Sequence, residues 1–173
     1  MSTDCTILAE IDAAFGGVER PEHFTNFTHC EECAEHDELL RRRDRDTLSI
    51  CDVGNPGWDP ICFCSPEGIA YYFPTLARLA LSDLGPDRCD WYASQLLFHL
   101  YSGFTENGFF QYCSLPQRQA VARFIAYIIE AHASLIDLHS AADEFLRCHQ
   151  LWSDAQPCGQ PDLAHKAAQV RLP

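Results

Sequence analysis

The chain has 173 residues, with 12 Lys and Arg against 25 Asp and Glu, a formal charge of -13 at neutral pH, and it is 47% hydrophobic and 12% aromatic. That length suits one domain, and that apolar fraction is enough to build its core, which excludes wholesale disorder. No run approaches the roughly 18 apolar residues of a spanning helix, the first residues are acidic where a secretory leader is basic, and the net charge repels phosphate backbones and anionic lipid. The expectation is a cytoplasmic protein with no nucleic-acid partner and no membrane partner.

Thr3 or Asp4 can cap a first helix whose Ile7, Ile11 and Phe15 fall at i, i+4 and i+8, with Gly16-Gly17 ending it. After a proline-containing linker, Thr28 and Glu31 have capping-box spacing, acidic residues fill the next turns and Arg41, Arg42 and Arg43 close the segment, which predicts a helix over 29–43. From Thr47 to Cys64 the texture changes to β-branched residues and turn formers, read as a loop with at most one short hairpin near 48–64. Ser65 and Pro66 open a helix that buries Ile69, Tyr72, Phe73, Leu76 and Ala80. Pro74 removes the bond to the Ala70 carbonyl, so a kink or break is expected there.

Asp90 caps the next helix, 91–102, which Gly103 ends, and the following FTENGFFQYC is read as an aromatic loop turning at Asn107-Gly108. Ser114 and Pro116 start the clearest helix, where Val121, Phe124, Ile125, Ile128, Ile129 and His132 form one apolar stripe. A further helix covers about 136–152, and the chain from 154 onward reads as a poorly ordered tail. The pattern as a whole predicts an all-α fold: one orthogonal helical domain of about five helices over 1–153, with the 116–131 helix central.

Ten cysteines without a secretory leader read as buried thiols plus, where spacing allows, metal ligands. Cys and His together make up 18 of the 173 residues, so four of them in the eight-residue string His29-Cys30-Glu31-Glu32-Cys33-Ala34-Glu35-His36 is a local excess. At 100° per residue His29, Cys33 and His36 share an arc of about 60°, flanked by Cys30. Thiolate and imidazole suit zinc, and spacings of three and four let helical side chains converge on one ion. The axial rise from 29 to 36 is about 10 Å, too long for four ligands on a regular helix. Either Cys30 and Cys33 form a knuckle ahead of the helix, or His29, Cys33 and His36 bind from one face and another segment supplies the fourth ligand. Cys62 and Cys64 are candidates for that position, since alternate residues of an extended strand point to one side, and Cys51 is a further one. The candidate segment therefore runs over 29–64. Glu32 or Glu35 could act as a base beside an open zinc position, although such acidic runs are mostly solvated helix faces. His132, His139 and Asp143 could form a second polar site, but His132 completes an apolar stripe and reads better as a hydrogen-bonded core histidine, as does His99. Trp58-Asp59-Pro60 packs an indole and turns the chain.

The strings HCEECAEH, GNPGWDPICFCSPEGIAYYFP and SLPQRQAVARFIAYI resemble a group of bacterial proteins catalogued as a domain of unknown function. The likeness covers about residues 20–150 and lies in a tryptophan loop running into a proline-glutamate helix start, and in the later amphipathic helix. Gly68-Ile69 replaces an alanine and an aromatic residue, and Cys62 and Cys64 are additional. The resemblance implies a mostly helical cytosolic protein and brings no activity with it. With no P-loop, GxGxxG, GxSxG, HExxH or EF-hand motif in the chain, three readings stand. They are a zinc-binding protein-interaction module with a structural site, an immunity-type inhibitor of a basic toxin, and a metal-dependent hydrolase using the same cluster. In each, a protein partner should present a basic face.

Overall fold

The amphipathic stripes of the sequence become helices in a computed structural model that describes residues 3–82 and 91–154, with no strand among the described residues. The α-helices are α1 (Thr3–Phe15), α2 (Glu31–Arg41), α3 (Ile50–Val53), α4 (Pro66–Ser82), α5 (Tyr92–Tyr101), α6 (Gly108–Tyr112), α7 (Leu115–Ala131), α8 (Ala133–Leu138) and α9 (Ala142–Ser153). Six of these have ten residues or more and three are short, so the described helices outnumber the five expected. No helix among them is long and apolar enough to cross a membrane. The Asp90 cap, and the tail apart from Asp154, lie outside the described residues.

α1 buries Ile7, Ile11 and Phe15, the spacing that defined it in sequence, against α4 and α7. α7 in turn packs on α9, and α4 on α5 and α6. Where they meet, the Phe15 and Phe73 ring centroids are 4.9 Å apart, Phe73 and Phe109 5.4 Å, and Phe109 and Trp152 5.5 Å. Each such ring, fully buried, contributes about 2–3 kcal/mol from lost water contact.

Four local expectations are corrected. α4 runs unbroken through Pro74, because residues Gly68 to Ala77 are all buried and their packing outweighs one missing hydrogen bond. The loop at Asn107 is a helix start: the Asn107 carboxamide accepts from Phe110 N at 2.9 Å and its amide donates to the His99 and Ser102 carbonyls, which opens α6. The helix expected over 136–152 is divided at Ser140, whose φ of 54° is a left-handed conformation. Residues 48–64 form α3 and a 3-10 turn at Pro60–Phe63 in place of a hairpin.

The C-terminal carbonyls of α2, which have no partner within the helix, are gripped from outside. The buried Tyr72 hydroxyl lies 2.6 Å from Leu40 O and 2.9 Å from Arg43 O, and Arg20 donates to Arg41 O at 2.6 Å. Arg45 donates to the carbonyls of Phe15, Gly16, Val18 and Tyr71, tying the end of α1 to α4. α2 is thereby fixed at one end, and its free N-terminus carries the cysteine motif.

Candidate metal centres

Thr28 does not cap α2; its hydroxyl donates to the Asn26 side chain. Cys30 takes the cap, with an extended backbone (φ -158°, ψ 172°) and its sulfur accepting from Cys33 N at 3.5 Å. His29 and Cys30 therefore precede the helix, and Cys33 sits one turn inside it. Cys30 and Cys33 thus straddle the helix start and do not form a knuckle ahead of it, and the axial distance still keeps His36 out of the group. Cys30 Sγ and Cys33 Sγ are 3.3 Å apart, and His29 Nδ1 is 3.6 Å from Cys33 Sγ. One donor atom from each residue falls within 4.8 Å of the others.

A disulfide needs sulfurs about 2.0 Å apart, so these are two thiols. Tetrahedral zinc with Zn–S of about 2.3 Å and Zn–N of about 2.0 Å has an S···S edge of about 3.8 Å and an S···N edge of about 3.5 Å. The Cys30–Cys33 and Cys33–His29 separations lie within about half an ångström of these edges. The backbone N–H of Cys33, then its thiol and His29, hold the Cys30 thiol below its ordinary pKa. The hydrogen bond to Cys30, followed by burial, pushes Cys33 up. Cys30 is the first of the pair to ionise, at a helix N-terminus whose dipole favours the thiolate.

The loop that delivers His29 is held by Asp37, which is buried on α2. Its Oδ1 accepts from Phe24 N at 2.7 Å and Thr25 N at 3.1 Å, and its Oδ2 is 2.7 Å from His23 Nδ1. Thr25 Oγ1 adds a 2.7 Å bond to the Cys33 carbonyl. Burial raises the Asp37 pKa, but the bonds from His23, Phe24 and Thr25 together outweigh it and keep the carboxyl below its usual range.

The other three expected ligands lie elsewhere. His36 is wholly buried, one turn beyond Cys33, between the rings of Trp58 and Phe63 at 4.6 Å each. Among the described residues neither of its nitrogens has a hydrogen-bond partner, and Glu32 Oε1 is 3.8 Å from Nε2. Cys62 lies in a 3-10 turn over Pro60–Phe63 and Cys64 is the extended residue that caps it, and neither joins the His29, Cys30 and Cys33 group among the described residues. Cys64 faces inward, so close to Gly68 that a Cβ there would meet its sulfur at 2.5 Å, and burial pushes its thiol far above the ordinary range. Cys62 faces outward. Cys51, in α3, is exposed and belongs to neither metal-ligand group among the described residues.

Cys62 belongs to a second group, with Asp59 and His99, whose donor atoms also fall within 4.8 Å of one another. Asp59 caps the 3-10 turn, accepting from Ile61 N at 2.9 Å, so the turn itself brings Cys62 back beside the carboxylate. Asp59 Oδ2 is 2.7 Å from His99 Nε2 on α5 and accepts from Gln95 Nε2 at 2.6 Å. Burial and the Asp59 charge raise the Cys62 pKa, which argues against an activated nucleophile. His99 does read as a hydrogen-bonded core histidine, but its partner is 40 residues away, and no spacing in the sequence could have named it. His132 and His139, at the two ends of α8, both border Trp91, with ring centroids 6.4 and 5.9 Å from it, while Asp143 lies beyond the break at Ser140, on α9.

Comparison of the chain with known protein families, with curated proteins and with solved structures finds no match.

Proposed function

We propose that this protein binds zinc through His29, Cys30 and Cys33, at an exposed three-ligand site whose fourth position is open to an outside ligand. The observation that supports it is the convergence of two thiols and an imidazole at separations close to the edges of a zinc tetrahedron, on a loop already fixed by Asp37. Hard cations such as calcium or magnesium would require oxygen ligands. Because Phe24, Thr25 and Cys33 are tied together without a metal, the ion completes a surface feature and does not hold the domain together. A cytoplasmic protein-interaction module is the role that fits best. The ion sits at the start of α2, where Glu31, Glu32, Glu35 and Glu38 give the helix an acidic character suited to a basic partner.

The test is zinc content after anaerobic purification without chelator, followed by competition against a chromophoric chelator. The parent should retain an equivalent that Cys33→Ser and His29→Ala each release. Cys33→Ser protein that keeps its full zinc content refutes the assignment.

A further inference from the structure

The second group differs from the first in what lies beside it. Asp59 and Cys62, though not His99, line a pocket of about 490 Å³ together with Trp91, Ser94, Gln95 and Phe98. Asp59 and His99 are 4% and 6% exposed, so two of the three donors are fixed in the protein interior, while Cys62 stands at the solvent edge. Gln95 holds the carboxylate from behind, donating to both Asp59 Oδ2 and Val53 O. Among the described residues, Trp91 Nε1 and Ser94 Oγ are buried polar atoms without a hydrogen-bond partner, on side chains that line the pocket. A buried N–H or O–H left unpaired costs about 1–3 kcal/mol, so such atoms are rarely left unpaired without cause.

We infer that Asp59, Cys62 and His99 form a second zinc site, with its fourth coordination position opening into this cavity. Carboxylate, thiolate and imidazole are all donors to zinc, and zinc sites with three protein ligands keep a fourth, exchangeable position. The present 2.7 Å contact between His99 Nε2 and Asp59 Oδ2 is shorter than the O···N edge of a zinc tetrahedron, about 3.3 Å, so the ion takes the place of their shared proton with a half-ångström spread. The Cys62 thiol releases its proton on binding, which makes uptake stronger as pH rises. Beside the site, the apolar wall of Trp91, Phe98 and Pro56 suits a small molecule with an aromatic body and an oxygen that reaches the metal. This centre shares no residue with the one at His29, Cys30 and Cys33.

Removing the first site by substitution isolates the second. The Cys30→Ser/Cys33→Ser chain, loaded with zinc and desalted, should hold about one equivalent, and adding Cys62→Ser should weaken its binding about tenfold or more. Cys51→Ser, at another exposed thiol, should leave it unchanged. Circular dichroism checks that each variant is folded. With cobalt as the probe, the double variant should show a thiolate-to-metal charge-transfer band that Cys62→Ser abolishes, and benzohydroxamate should shift its ligand-field bands. The inference is overturned if the folded double variant takes up no zinc, if Cys51→Ser removes the ion as Cys62→Ser does, or if the cobalt spectrum lacks the thiolate band. An unshifted spectrum with benzohydroxamate overturns the open position. A parent that loses all its zinc on Cys30→Ser/Cys33→Ser keeps the first proposal and sinks this one, and loss on Cys62→Ser alone does the reverse.

Discussion

Replacing Asp37 by alanine removes the acceptor that holds the 23–25 segment on α2. Two backbone N–H groups, of Phe24 and Thr25, lose their partner in a region where Phe24 is fully buried and Thr25 nearly so. Each orphaned buried donor costs about 1–3 kcal/mol, and the half-exposed bond from His23 adds less than about 1 kcal/mol. The expected loss is about 3–5 kcal/mol, beyond that of a surface pair such as Arg42 with Glu38, whose removal should cost under about 0.5 kcal/mol. In urea, with a denaturant slope of about 2 kcal/mol/M for a domain of this size, the midpoint should fall by about 2 M. Asp37→Asn, which keeps one carbonyl oxygen, should fall between the two. The pH dependence has a definite sign. The folded carboxyl is held below its unfolded value of about 3.9, so its contribution is full above that value and disappears as pH falls through the folded one. The gap between parent and Asp37→Asn should therefore close under acid. An Asp37→Ala midpoint within 0.3 M of the parent, a bound set by the precision of such fits, would refute the claim that this carboxylate carries the loop.

His36→Leu removes a buried imidazole with two unpaired nitrogens and should leave stability unchanged or raise it by about 1 kcal/mol, with zinc content unaffected; a lost equivalent of zinc would restore His36 as a ligand. Tyr72→Phe removes the one hydroxyl hydrogen shared by the Leu40 and Arg43 carbonyls, which keep Arg43 N and Arg20 as donors, and should cost about 1 kcal/mol by thermal or urea unfolding. Trp152→Ala opens a cavity against Phe109 and Phe110 and strands the Leu100 carbonyl that its indole N–H now meets at 2.9 Å, a loss of about 3–5 kcal/mol measurable by the same curves. Chelation of zinc-loaded protein should lower the melting temperature by a few degrees through binding linkage. The helical circular dichroism should persist, because the packed core does not depend on the ion; collapse to an unfolded spectrum would contradict that.

The sequence by itself determined the helical class and most of the long elements, because a buried helix face must repeat every three to four residues. Ile7, Ile11 and Phe15, and Val121 through Ile128, could not have been read otherwise. It also determined that His29, Cys30 and Cys33 could meet, since residues three and four apart are neighbours at the start of a helix whatever the rest of the chain does. Tertiary structure decided everything that depended on partners distant in sequence. Pro74 stays inside a continuous helix because its surroundings are buried on all sides, and local chemistry carries no record of those surroundings. His36 has the right spacing for the ion but is covered by Trp58 and Phe63 from another turn of chain. Pairing Cys62 with Cys64 requires an extended strand, whereas a 3-10 turn forms at Pro60–Phe63 and places Cys62 beside Asp59 and His99. The meeting of Asp59 with His99 links a loop to a helix 40 residues on. Helical periodicity is a local property that each segment carries in its own residues, whereas the partner of a buried polar group is set by how the segments pack.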